Sequence, residues 1–169
     1  TPTATSPPVG SVSLRNGGFE EGNTGWQEYS SHGYELVDSI NAHSGHYGAF
    51  LCGYGNCNDV IAQSFTVPVG SSHIEISYWL YGKASSTTKT CRDTFIAQVL
   101  DSKGRVIVQL QPRVCNADVV AQWKQVTFDA SKTLSGYAGQ RVTLMFGGRT
   151  SLAYFATAFF VDDVAVVVR

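Results

Sequence analysis

Four acidic residues stand near the two ends of the chain in settings where a carboxylate needs a partner. "NGGFEEGNTGW" (residues 16–26) places Glu20 and Glu21 in a glycine-rich segment, and "FFVDDVAVVV" (residues 159–168) sets Asp162 and Asp163 inside an apolar run. Side chains alternate along a strand, so Asp162 falls on the face of Val164, Val166 and Val168, and Asp163 on that of Val161, Ala165 and Val167. Either way one carboxylate points where apolar side chains point, and a proton, a cationic side chain or a metal must offset its burial. Glu20 lies among glycines whose backbone carbonyls are free to turn inward, on a segment able to lie beside the last strand. Two carboxylates with carbonyl oxygens suit calcium, which takes oxygen ligands in irregular geometry. The plainer alternative leaves Asp162 and Asp163 at a strand end near a loop and Glu20 in solvent. Glu20 with Asp162 as a glycosidase couple is a third use of the same residues, and calcium explains them better.

Cys52, Cys57, Cys91 and Cys115 are an even set, and three pairings are possible. "CGYGNC" puts the first two on either side of a turn, while the other two flank a hairpin candidate at residues 95–110. The expected bonds are therefore Cys52–Cys57 and Cys91–Cys115, contributing about 2 and about 3.5 kcal/mol on a chain-entropy account. A four-cysteine zinc site is disfavoured because separations of 5, 34 and 24 positions contain no C-x-x-C knuckle. His32, His43, His46 and His73 accompany many serines, but no G-x-S-x-G or H-E-x-x-H motif organises them. The expectation is a domain without catalysis.

The elements that must position these residues read as strands. The chain has 169 residues, 43% hydrophobic and 15% charged, which suits one globular domain. No long segment keeps a 3.6-residue apolar period, and glycines punctuate short runs of β-forming residues. Strands are expected at residues 33–37, 47–53, 60–67, 73–81, 94–101, 106–111, 123–129, 141–147 and 155–168, with turns at 68–70, 101–104 and 135–139. In "HIEISYWLYG", Ile74, Ile76, Tyr78 and Leu80 share a face suited to a core, opposite Glu75, Ser77, Trp79 and Tyr81. Such a series suggests an all-β, two-sheet antiparallel β-sandwich of jelly-roll type. The net charge of -1, with basic residues scattered singly, argues against a nucleic-acid partner. No apolar run approaches the roughly 20 residues of a membrane span. Residues 1–11, "TPTATSPPVGS", have linker composition, so residues 12–169 are expected to form the folded module, with a catalytic domain attached upstream.

The succession "NGGFEEGNTGWQ", "AHSGHYGAFLCG", "IAQSFTVPVG", "ISYWLY", "YAGQRVTLMF" and "FFVDDVAV" resembles jelly-roll domains of the galactose-binding type over residues 14–168. These include carbohydrate-binding modules of families four, nine, sixteen and twenty-two. The likeness is strongest to versions appended to secreted bacterial hydrolases, sedolisin-type peptidases among them. The resemblance implies a structural calcium held by Glu20 and Asp162, with carbonyl oxygens from Gly18 and from the segment of Ser44 to His46. It also implies that Trp26 and Trp123 pack in the core.

Sugar binding on a sandwich needs aromatic faces and a few polar side chains in a groove. Trp79 and Tyr81 are the first platform candidates, with the alternative that both pack under a loop such as residues 82–93. Gln98, Gln109, Gln111 and Arg113 are candidates for the same groove, and Tyr54, fixed by its small cystine loop, is a candidate at the end of the sandwich. Phe155, Phe159 and Phe160 are expected in the core. The reading that joins these features is a secreted, non-catalytic module that targets an attached hydrolase to polysaccharide. The alternative is a structural or protein-interaction domain of a secreted peptidase.

Overall fold

The computed structural model describes residues 14–85, 89–151 and 156–169. The linker expected at residues 1–11 and Phe155 lie outside the described residues. Two antiparallel sheets face each other. One runs β1 (Gln27–Ser30), β4 (Asn58–Thr66), β10 (Arg141–Arg149), β6 (Thr94–Leu100), β7 (Val106–Gln109), with β8 (Val114–Cys115) also pairing β6. The other runs β2 (Val37–Asp38), β3 (Gly48–Cys52), β11 (Ala158–Val168), β5 (Ile74–Lys83), β9 (Lys124–Asp129). Between β9 and β10 a single helical turn, α1 (Ser131–Leu134), runs into a 3-10 turn at Ser135–Tyr137, where a turn was expected.

Alternation decides which side chains meet between the sheets. Ile61 and Phe65 of β4, Phe95, Ala97 and Val99 of β6, and Leu144 and Phe146 of β10 point inward from the first sheet. Leu51, Ile74, Ile76, Tyr78, Phe159 and Val161 meet them from the second. Tyr78 abuts Phe146 edge-on at 4.9 Å, and burial pushes its hydroxyl far above the ordinary tyrosine range. Trp26 joins this core at 5.0 Å from Phe19, as expected. Each such apolar side chain contributes about 1.5–3 kcal/mol by leaving water.

Two strand expectations change. Residues 27–30 form β1 although "QEYS" carries little apolar alternation, because its register is set by β4, with Tyr29 opposite Val60. Of the expected strand at 33–37 only Val37, continued by Asp38, is registered against β3. The Glu28 carboxylate instead accepts the N–H groups of Leu36 and Val37 at 3.3 and 3.2 Å, and Gly33 turns the chain at φ +72°.

The segment before β1 closes one margin of the sandwich. Arg15 and Gln63 exchange two hydrogen bonds of 2.7 and 2.8 Å, the Asn16 side chain donates to the carbonyls of Gly22 and Thr24, and Phe19 is fully buried. Val164 N–H donates to the Gly17 carbonyl at 2.9 Å, so the segment is tied directly to β11. A Cβ on Gly17 would lie 1.9 Å from the Val164 oxygen, a contact that only displacement of backbone relieves. Gly17→Ala is therefore expected to destabilise the domain by about 1–3 kcal/mol, read as a lowered urea midpoint; an unchanged midpoint would show that the margin is slack.

The hairpin between β6 and β7 turns on Asp101. Its carboxylate accepts the N–H groups of Lys103 and Arg105 at 2.9 Å each and the Arg105 Nε at 2.7 Å. The Arg105 backbone N–H, then its guanidinium, hold the Asp101 carboxyl below the usual range. A depressed folded pKa contributes stability that is present above the unfolded value and lost as pH falls through the folded one. Asp101→Asn should lower the melting temperature at neutral pH and flatten its decline between about pH 4 and pH 2. A variant whose acid profile parallels wild type would contradict this role.

Candidate functional site

The acid pair of β11 sits at a bulge. The register against β5 shifts between Asp162 and Ala165, and Asp163 adopts a left-handed φ of 47°. The extra residue reverses the alternation: Asp162 stands opposite Trp79 on the outer face, while Val164, Val166 and Val168 return to the core. The expected placement of Asp162 with those valines is thus corrected. Asp162 is buried by the loop that crosses above it rather than by the core, for its Oδ2 accepts the N–H groups of His43 and Ser44 at 2.8 and 3.1 Å. Its Oδ1 accepts Asp163 N–H at 2.7 Å. Burial nevertheless raises the Asp162 carboxyl above the usual range, the three N–H donors only partly offsetting it.

The other residues assigned to calcium gather at the same loop. Glu20 Oε1 accepts the N–H groups of His46 and Tyr47 at 2.8 and 2.9 Å, which holds its carboxyl low. Ser44 Oγ donates to Asp163 Oδ1 at 2.7 Å, and a Cβ on Gly18 would lie 3.5 Å from that same oxygen. The structure therefore brings Glu20, Gly18, Ser44, His46 and Asp162 to one region and adds Asp163, which the sequence reading left out of the set. Among the described residues, the acid, thiol and imidazole groups close enough to share one ion are those of Cys52, Cys57 and Asp59, and both sulfurs are bonded to each other.

His43 Nδ1 lies 2.6 Å from Asp163 Oδ2. Although Ser44, His43 and Asp163 are neighbours, Ser44 donates to the carboxylate and not to the imidazole, which is the wrong connection for activating a nucleophile.

The imidazole of His43 stacks on Trp79 at 3.8 Å and 15°, so one platform candidate has a face already covered. Trp79 is half-buried, with the His43 loop lying over it. Tyr81 faces outward beside Phe160 and Trp123, at 5.8 and 5.5 Å, and Phe160 stacks on Phe50 at 4.5 Å. Trp123 and Phe160, expected in the core, thus belong to this outer aromatic strip. Both sit beyond the plane of the sheet, Phe160 because it pairs with Phe50 and Tyr81 on the outward side of β11.

Gln98 and Gln109 do not share a groove with Trp79 and Tyr81. They are cross-strand partners on β6 and β7 of the opposite sheet, joined by a 2.7 Å hydrogen bond. Gln111 turns inward to a small depression beside Leu80, Val114 and Lys124, its Nε2 buried and without a partner among the described residues. Arg113 is exposed on the loop leading into β8. Strand alternation alone did not reveal which of the two sheets each strand joins.

Tyr54 is held in its cystine loop, as its spacing between Cys52 and Cys57 led one to expect. The bonds Cys52–Cys57 and Cys91–Cys115 are both present, with Cα separations of 5.5 and 5.3 Å. Within the first loop the Tyr54 hydroxyl donates to Asp59 Oδ1 at 2.6 Å and lies 3.1 Å from Ser30 Oγ, while its carbonyl accepts Thr150 Oγ1 at 2.5 Å. Asp59, only 1% exposed, also accepts Cys52 N–H at 2.9 Å. Burial, then the bond to Asp59, raises the Tyr54 hydroxyl above its ordinary range, keeping it a donor.

Tyr34 stands edge-on to Tyr54 at 5.1 Å, 57% exposed, and His32 meets Tyr54 at 4.6 Å. The two tyrosines wall a depression of about 400 Å³ lined also by Glu35, Asp38, Phe50 and Asp59, and His32 stands outside that lining. Sequence reasoning missed Tyr34, Glu35 and Asp38. The run was read as a strand, and only the cystine loop folding over from the far side makes it a wall.

No family model matches the chain, and no curated protein does. Solved structures similar in fold include TmCBM61 in complex with β-1,4-galactotriose, with a TM-score of 0.64 at 17% identity, covering 94% of this chain and 99% of that one. Another is the CBM22-1 xylan-binding domain of Paenibacillus barcinonensis Xyn10C, at 0.55 and 18%, covering 96% and 97%. A third is the C-terminal family 22 carbohydrate-binding module of Clostridium thermocellum Xyn10B, at 0.55 and 12%, covering 99% and 96%. The chain thus has the jelly-roll β-sandwich fold of carbohydrate-binding modules, as its sequence motifs led one to expect.

Replacing Tyr54 by Phe removes the donor to a buried carboxylate oxygen and is expected to cost about 1–3 kcal/mol. Replacing both Cys52 and Cys57 by Ala should cost about 2 kcal/mol through loop closure. Chemical denaturation measures both, and a Tyr54→Phe protein as stable as wild type would mean that Asp59 is satisfied without the tyrosine.

Proposed function

We propose that the domain is a non-catalytic carbohydrate-binding module of a secreted protein, taking its glycan in the depression between Tyr34 and Tyr54. The observation that carries this reading is a pair of tyrosines, one locked by a cystine and by Asp59 and the other exposed, in a cavity of ligand size. Aromatic rings cover the apolar faces of a pyranose, and carboxylates at the rim accept from its hydroxyls. Because Tyr54 is held before any ligand arrives, little ordering entropy is lost on binding. Kinship of fold with a galactotriose-bound module and a xylan-binding domain supports the assignment. In this reading the module is joined through residues 1–11 to a hydrolase, raising its local concentration at polysaccharide.

The outer strip of Tyr81, Trp123, Phe50 and Phe160 favours a second reading, a protein-docking face of a secreted peptidase. The half-buried rings of Tyr81, Trp123 and Phe50 packed around the buried Phe160 make an apolar patch rather than a slot.

Calcium belongs to the same proposal as a structural ion. Glu20 and Asp162 would hold it with carbonyls of Gly18 and of the segment from Ser44 to His46, and its charge would offset the burial of Asp162. Its effect is stabilisation by mass action.

Two measurements test this section. Titration calorimetry with neutral oligosaccharides should show binding that falls at least about tenfold in Tyr34→Ala, while Trp79→Ala with Tyr81→Ala leaves it within about twofold. The reverse pattern would move the site to the sheet face, and silence across a broad panel would favour the peptidase reading. Adding calcium to chelator-treated protein should raise the melting temperature, an effect lost in Glu20→Gln; coincident melting curves, with no heat of calcium binding, would remove the ion.

A further inference from the structure

Resting on that reading of the depression, we infer that its ligand is a glycan bearing free, protonated amino groups, a polymer of 2-amino-2-deoxy sugar in deacetylated form. The walls combine two features that a cation uses together. Tyr34, Tyr54 and Phe50 present aromatic rings, whose electron-rich faces attract an ammonium group. Glu35, Asp38 and Asp59 supply three carboxylates to the same cavity, and no lysine, arginine or histidine lines it.

Among the described residues none of these three acids forms an ion pair, whereas Asp163, Glu20, Glu75 and Asp101 each have a basic neighbour. Asp59 lines the cavity with its two oxygens already accepting from Tyr54 and the Cys52 N–H. Asp38 is half-buried and accepts only the Ile40 N–H, at 3.0 Å. Burial raises its carboxyl above the usual range, the Ile40 N–H only partly offsetting it. A neutral sugar needs acceptors but not several carboxyl groups without a basic neighbour, and a uronate polymer would bring further carboxylates to them. An amino sugar places its ammonium against Asp38 and Glu35 while its ring lies on the tyrosines.

The test compares glucosamine, N-acetylglucosamine and xylose oligomers of equal length by calorimetry on the whole chain, near neutral pH at low and high salt. The free-amine oligomer should bind at least about tenfold more tightly than either neutral one at low salt, the margin shrinking several-fold at high salt. Glu35→Gln and Asp38→Asn, checked for unchanged melting, should each bring the three oligomers toward parity without abolishing neutral binding. Equal affinity for all three in wild type, with loss in Tyr34→Ala, would overturn the inference and leave the glycan site standing. Polylysine binding as strongly as the free-amine oligomer would overturn it too, because charge alone would then suffice. No binding of any oligomer would remove both the inference and the reading beneath it.

Discussion

A carboxylate buried without a counter-charge is the constraint around which one side of this sandwich is arranged. Asp162 has no exposed surface, yet its neighbours supply N–H groups rather than a cationic side chain. To collect those donors the chain inserts a bulge in β11, which swings Asp163 into a left-handed conformation and carries the loop from His43 to Tyr47 over the sheet. The same bulge frees the Val164 N–H to reach Gly17, so the N-terminal segment closes over the sandwich margin where Phe19 and Trp26 complete the core. Loop, bulge and terminal segment are thus one interlocked unit. Disturbing any of the three exposes a polar group that the other two had satisfied.

At the opposite end Asp59 solves the same problem differently. It too is buried, but it sits beneath a covalent loop, bonded to the Tyr54 hydroxyl and to the Cys52 N–H. Thr150 ties that loop to the end of β10, through Cys57 N–H at 3.0 Å and the Tyr54 carbonyl. A ring restrained this way is a pre-formed wall. On the face of the second sheet, by contrast, Trp79, Tyr81, Phe160 and Trp123 are packed against His43, Phe50 and one another, and their ring faces are partly spent on intramolecular contact. Tyr34 abuts Tyr54 yet stays 57% exposed and so keeps more of its surface in solvent than those rings, although the sheet face holds more aromatic residues.

The even cysteine set and the strand alternation were legible from spacing alone, since a short turn and a period of two are local properties of the chain. So was the inward face of β5, where Ile74, Ile76 and Tyr78 are fully or almost fully buried. The expectation that Gln98 and Gln109 share a groove with Trp79 failed because alternation names a face of a strand but not the sheet that the strand enters. That choice depends on pairing between β6 and β10, far apart in the chain.

What the amino-acid sequence determined by itself is therefore the class of fold, both disulfides, the fixing of Tyr54 in a cystine loop and the need of the β11 acids for partners, because each follows from nearest-neighbour geometry or from the cost of burying charge. Tertiary structure alone decided that Asp162 faces outward under a loop and that Tyr34, Glu35 and Asp38 wall a cavity. It also decided that Trp123 leaves the core for the sheet surface. A bulge adds one residue to a period of two, and a cavity forms where segments distant in sequence meet; neither leaves a periodic trace in the chain.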